Sequence, residues 1–543
     1  MTPLTELAQG SARPWPDVSW LGPAHQLALD TSSLINHLLV VDQPLWVIAR
    51  DPGIGLAIEG SLAPAATSEN AVLGFLPALP TESLGDPAFK TTYGTRYAYY
   101  AGAMANAIAS EEMVIALGKA GLMGSFGAGG CLPARIESAI QKIQQALPNG
   151  PYAFNLLNSP FEPALEQRAV ELYLKYNVPV IEASAYMDMT FGLVYYRAAG
   201  LAQSPDGGVT INNHIIAKVS RKEVAKRFLS PAPQDILNKL VEQGKITSLQ
   251  AELARRVPMA DDITVEADSG GHTDNRPLVT LIPAILAQRD AFQAQHNYAV
   301  PVRVGAGGGI GTPSAAMAAF AMGAAYVVTG SVNQSCREAG ASQYTRELLA
   351  KADMADVSMA PAADMFEMGV RVQVLKRGSM FAPRAAKLYE LYSRYNAWEE
   401  IPLAEREKLE STVFKRPFDE IWADTVKFFT ERDPHQVERG NADPHQKMAL
   451  VFRWYLGLSS RWSNIGEKGR EMDYQIWCGP SMGAFNDWVR GTYLAEAANR
   501  GVVDVALHLL TGAAYLTRVR QLANLGLLLP PELMAYKPDK PLV

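Results

Sequence analysis

The sequence predicts an α/β fold: a (β/α)8 TIM barrel with an N-terminal β-containing extension and a largely helical C-terminal extension. Three observations lead there. Eight short apolar runs recur between Tyr97 and Ser331, and their near-continuous apolar character is that of strands buried on both faces of a parallel sheet. Helix patterns with their own start and stop signals alternate with those runs. Glycine-rich turns follow the seventh and eighth runs, where barrels of this kind frequently hold a phosphate.

Residues 1–96 form the N-terminal extension, in which "PLWVIARDPGIGLAIEG" predicts a β-hairpin turning at Asp51-Pro52-Gly53. The barrel then occupies 97–335. Its strands are "YAYYAGA" from Tyr97, "GLMGSFG" from Gly121, "YAFNLL" from Tyr152 and "VPVIEASA" from Val178. They continue with "HIIAKVS" from His214, "DITVEAD" from Asp262, "PVRVGAG" from Pro301 and "AAYVVTG" from Ala324. Between them, Ser110 caps "EEMVIALGKA", with Gly121 as its stop. Pro133, Pro163, Pro277 and Pro313 stand where first helical turns begin, and Gly323 ends the helix that Pro313 opens. A stretch of two short helices, at about 229–260, interrupts the rhythm between strands five and six. Residues 336–543 carry helical periodicity and many aromatics.

Composition narrows the function classes. A chain of 543 residues with net charge −6 and interspersed acids and bases lacks the basic footprint of a nucleic-acid binder. Cys131, Cys336 and Cys478 are too few and too scattered for a disulfide framework or a zinc cluster, so no metal site is expected. The N-terminal stretch lacks a signal-peptide pattern, and no apolar run approaches the about 18 residues of a membrane span. A cytoplasmic protein is the expectation.

The chemistry concentrates at the strand ends. "VGAGGGIGTPSAAMA" and "VTGSVN" both let backbone N–H groups approach an anion. A dinucleotide fingerprint fails, because the third glycine required after Gly305 and Gly307 is Ile310. The most polar stretch, "EADSGGHTDNRPL", lies between two apolar runs, where a rigid scaffold presents a functional loop.

Taken together, "AGAMA", "FNLL", "DSGGH", "GGGIG" and "TGS" at the ends of strands one, three, six, seven and eight resemble the FMN-dependent barrels of nitronate monooxygenases and flavin-type enoyl reductases. Longer runs narrow this. "YAYYAGAMANAIASEEMVIALGKAGLMGSFGAGG", "EADSGGHTDNRPLVTLIPAI", "MAPAADMFEMG" and "MALVFRWYLGLSSRWSN" resemble the PfaD family, the stand-alone enoyl reductases of bacterial polyunsaturated fatty acid synthases and related polyketide pathways. The resemblance runs over nearly the whole chain.

It implies FMN as cofactor and NADPH (or NADH) as hydride donor. Gly102, Ala103 and Met104 match the segment against the flavin ring, Ala103 replacing the glycine common there. Asn155 matches a polar residue at the ring edge. Gly307, Gly308 and Gly309 match the phosphate loop, completed by Gly330 and Ser331. Ser269, Gly270 and Gly271 match the turn that approaches the flavin, and His272 matches a histidine of the family counterparts, read as the catalytic group that protonates the enolate left by hydride addition, with orientation of the loop or the flavin as the alternative. The implied partners are acyl carrier protein domains of a multidomain synthase and an enoyl thioester; a homodimer is left open.

Lys218 is singled out by chemistry alone: inside "IIAKVS" it needs negative charge beside it, supplied either by a flavin or phosphate anion or by a structural carboxylate. Asp274 or Asn275 is expected to cap the helix at Pro277, and Arg276 to bind phosphate or to pair with Asp268. Glu111 and Glu112 read as a helix first turn, and Cys131 lacks the context of a catalytic cysteine. The interrupting helices at 229–260, with the C-terminal helices, are expected to cover the barrel mouth, and the latter to line an acyl channel. Two rival functions are a nitronate-oxidising flavoenzyme and a non-catalytic docking subunit.

Overall fold

A computed structural model describes residues 15, 18–50, 53–64, 70–158 and 163–543 of the chain. Eight parallel strands close into a barrel in sequence order: Tyr99–Ala101, Met123–Phe126, Ala153–Leu157, Val180–Ser184, His214–Val219, Asp262–Glu266, Arg303–Gly307 and Val327–Thr329. Each lies within its predicted run. The helices begin where the sequence placed them. Ser110 Oγ accepts from the Met113 N–H at 3.1 Å, and Pro133, Pro163 and Pro313 each open a helix. Tyr100, Ala153, Ile216 and Val328 fill the barrel interior, and Phe89 from the helix Pro87–Tyr93 closes its floor by stacking on Tyr326 at 4.3 Å.

The hairpin pairs Leu45–Arg50 with Gly53–Ala57, and Val72–Leu76 adds a third strand; the turn residues Asp51 and Pro52 lie outside the described residues. This sheet packs on the C-terminal helix Val502–Asn524 through Leu45, Val47, Leu56, Val519 and Leu522, so the two extensions share one core. That helix alone is long and apolar enough, among the described residues, to cross a membrane, yet most of it is buried inside the fold.

The helices Gln234–Glu242 and Ser248–Leu253 exist as predicted, but they do not cover the mouth. They follow the fifth unit's helix, Lys222–Leu229, and lead into strand six, which makes them an αβ connection on the N-terminal face. Gln250 Nε2 accordingly donates to the carbonyl of Ala199, the last residue of the helix Phe191–Ala199, at 2.9 Å. The C-terminal region covers the mouth instead. It is largely helical, as expected, and also contributes the strands Val357–Pro361 and Arg371–Leu375, the second of which pairs with Gly271–His272.

Candidate active site

A cleft opens at the C-terminal ends of the strands, lined by residues from strand ends one, five, six, seven and eight and from the C-terminal region. Of the expected cofactor-binding residues, Gly102, Ala103, Met104, Lys218, Ser269, Gly270, Gly307, Gly308, Gly309, Gly330 and Ser331 line it. Asn155 and Gly271 do not. Asn155 is buried beside the cleft, its Nδ2 donating to the Glu182 carbonyl and to Ser184 Oγ, both at 3.0 Å. Gly271 lies against the Trp477 ring.

The strand-seven turn needs its glycines. Gly308 has φ +79°, and a Cβ there would stand 2.6 Å from the Ala267 backbone. At Gly309 and Gly330 a Cβ would meet nothing within 4 Å, so this backbone faces open cleft. Two buried polar atoms on the wall lack partners: Gln334 Nε2, on a side chain 1% exposed, and Ser269 Oγ. Buried donors in folded proteins are ordinarily satisfied, and a phosphate placed here would satisfy them. The residues therefore fit a phosphate-bearing cofactor such as FMN.

Charge lies beside these turns, Glu266 being the register partner of Gly307. Lys218 Nζ stands 2.9 Å from Glu266 Oε1 and 3.5 Å from Glu182 Oε1, on neighbouring strands. Of the two partners considered for Lys218, the structural carboxylates are present. Burial alone would lower the lysine's pKa, but Glu266 and Glu182 outweigh it and hold the ammonium above its ordinary value. Glu182 Oε2 also accepts from the Ala103 N–H at 2.8 Å, tying the first strand end to this group.

His272 stands outside the cleft wall, its Nε2 2.9 Å from Asp364 Oδ2. Burial pulls its pKa down, and the Asp364 carboxylate overrides this, leaving it above the usual imidazole value. The expected helix caps are corrected: Asp274 instead binds Arg221 and Ser220, while Asn275, at φ +50°, donates to Asp268 and Gln373, and Pro277 occupies the cap position without a side-chain bond. Asp268 is held by Asn275 and Gln373, and its N–H donates to the Arg276 carbonyl. Glu111 makes a bidentate pair with Arg135, and Glu112 pairs with Lys142, as first-turn acids do. Burial pushes the Cys131 thiol up to about 11, away from nucleophilic reactivity.

Sequence reasoning passed over Glu182, Thr264, Glu266, Gln334, Trp477 and Ser481. Glu182 in "VIEAS" carried a signal, a lone acid in a buried strand one strand from a lone lysine. Trp477 and Ser481 come from the far C-terminal region and carried none.

A closed parallel barrel with a glycine-built anion cradle at its strand ends defines the class. A family model described as nitronate monooxygenase matches residues 88–396, and one described as the inserted helical domain of [acyl-carrier-protein] S-malonyltransferase matches 395–474. The chain belongs to the nitronate monooxygenase family, and within it to the PfaD-type proteins its sequence resembles. It is 48% identical over 531 residues to one of the polyunsaturated fatty acid synthase polypeptides of Thraustochytrium sp., covering 96% of this chain and 35% of that one. It is 45% identical over 443 residues to the polyketide biosynthesis protein PksE of Bacillus subtilis, covering 81% and 57%. The chain thus spans only part of the length of these relatives. The enoyl reductase domain of MlnA, from the macrolactin cluster of Bacillus amyloliquefaciens, superposes with a TM-score of 0.78 at 41% identity, covering 81% of this chain and 99% of that one.

Proposed function

We propose that this protein is an FMN-dependent enoyl-[acyl-carrier-protein] reductase, using NADPH or NADH, in polyunsaturated fatty acid or polyketide assembly. The observation that carries the reading is the cleft itself, where unsatisfied donors and open glycine backbone line the same space as the ion-paired Lys218, with a histidine on the adjoining loop. The 41% identity to an enoyl reductase domain over almost all of its length supports it.

A bound flavin would supply the hydride-transfer chemistry between a nicotinamide donor and a 2-enoyl thioester. The chain supplies the rest. Gly308, Gly309, Gly330, Ser331 and Gln334 would bind the phosphate, and Lys218, held between Glu182 and Glu266, would offer an N–H donor to the cleft. Trp477 helps exclude water. His272 holds the proton destined for the α-carbon.

The test is whether the purified protein releases FMN on heating and oxidises NADPH when given crotonyl-CoA, a simple 2-enoyl thioester. Turnover of a nitronate with oxygen and no nicotinamide would favour an oxidase. A protein that takes up no flavin on reconstitution would favour a docking role without catalysis.

A further inference from the structure

We propose that Asp364 is the positioning residue of the proton donor: it holds His272 through Nε2, so that Nδ1 is the atom that delivers the proton. The inference rests on the enoyl reductase reading and adds to it a residue from outside the barrel. Asp364 belongs to "MAPAADMFEMG", between the strand Val357–Pro361 and the turn Phe366–Met368. That connection continues into Arg371–Leu375, where Val372 pairs with His272 and Gln373 with Gly271. One ribbon thereby fixes the backbone of the histidine loop and supplies the carboxylate on its ring. Gln373 Nε2 pins the same loop further back, donating to Asp268 Oδ1 at 2.7 Å and to the Ser269 carbonyl at 2.8 Å.

The geometry assigns the ring atoms. Nε2 is engaged at 2.9 Å, whereas Nδ1 has no hydrogen-bond partner among the described residues. Three charged groups act on the ring: Asp364 across the ribbon, Glu266 at the end of strand six and Lys218 on strand five. Arg453 acts on Asp364 from the helix Pro444–Ile465 and is itself paired with Glu367 at 3.0 Å. Of the two acids Asp364 acts the more strongly, and it favours the cationic ring, in which each nitrogen carries a proton. Transfer of the Nδ1 proton to the enolate α-carbon forms the C–H bond and leaves neutral imidazole, still donating from Nε2 to Asp364. The side chains of His272 and Asp364 are 33% and 35% exposed, so water can return the lost proton.

The experiment has two arms. In the native protein with ¹⁵N-labelled histidine, assigned against H272Q, ring shifts followed through the titration should show Nδ1 losing its proton and Nε2 keeping it. The opposite tautomer would overturn the proposal, and this arm needs neither flavin nor turnover. In the second arm, Asp364→Asn keeps an acceptor and removes the charge. The His272 titration should move to lower pH, the alkaline limb of crotonyl-CoA reduction should move with it, and the oxidative half-reaction should slow about 100-fold, the lower end for a positioned acid. Flavin reduction by NADPH should be unchanged. An unmoved titration, or a moved titration with an unmoved rate profile, would sink the assignment. Wild-type protein inert toward crotonyl-CoA would defeat the enoyl reductase reading, and the tautomer measurement would still report on Asp364.

Discussion

Gly270 and Cys478 meet backbone to backbone: a Cβ on Gly270 would stand 2.8 Å from the Cys478 nitrogen. The fit is reciprocal, since a Cβ on Gly479 would stand 2.8 Å from the Gly270 nitrogen. The Gly479 N–H then donates to Ser331 Oγ at 3.0 Å, and Trp477 and Ser481 reach the cleft wall. The segment that carries Trp477 and Ser481 to the cleft is thus seated on the loop that carries Ser269 and Gly270. Gly270→Ala should lift this segment, leave the barrel folded by circular dichroism, and raise the dissociation constant for FMN. Unchanged retention would mean the segment is a bystander.

The two glycine turns should separate steric from conformational effects. Gly330 has open space beside it and no left-handed backbone, so Gly330→Val should fold normally while its side chain competes with the phosphate. Gly308→Val should do more damage, since φ +79° and the 2.6 Å approach to Ala267 burden the folded chain itself. The measurement is flavin content against melting temperature for each. Full flavin occupancy in both would place the phosphate elsewhere.

Lys218→Met removes the cation shared by Glu182, which is fully buried, and Glu266, which is 20% exposed, and leaves both carboxylates without it. Breaking a buried pair from one side costs about 3–5 kcal/mol, so a melting temperature well below wild type is expected. Thermal melts at neutral pH check this, and a variant as stable as wild type would contradict it.

His272→Ala should slow reoxidation of the reduced enzyme by crotonyl-CoA by about 10²–10⁴-fold, with a far smaller effect on reduction by NADPH. Stopped-flow absorbance separates the two steps. An equal fall in both would make His272 an organiser of the loop. Raised by Asp364, the histidine's pKa also sets a direction: the stability gained from its protonated form is complete below the ordinary histidine range and is lost as pH rises through the native value.

The helices at 229–260 should matter to folding and not to access. Leu237 and Leu240 are fully buried, so Leu240→Ala should destabilise the protein by about 2–5 kcal/mol. Its reduction of crotonyl-CoA at a permissive temperature should equal wild type. A selective loss of turnover would restore these helices as a lid.

Local residues made much of this legible. Period and punctuation gave the eight strands, because a strand buried on both faces must be apolar throughout and a helix must be capped where it starts. The glycine turns were equally readable, since positive φ and close approach admit little else. Asn155 and His272 were found by resemblance, yet neither lies on the cleft wall: Asn155 spends its donors on strand four, and His272 turns Nε2 to Asp364. The helices at 229–260 were found but set on the wrong face, because amphipathic spacing does not say which end of the barrel an insertion occupies; its place after a unit's helix does.

By itself, then, the sequence determined the barrel, its strand order and its glycine-rich turns, all of which depend on residues near in the chain. Only the tertiary structure decided which distant groups complete the site. Asp364 reaches His272 across 92 positions, and Ser331 receives the Gly479 N–H across 148. Such pairings leave no periodicity in the chain, because what selects them is the closeness of two backbones already folded by other forces.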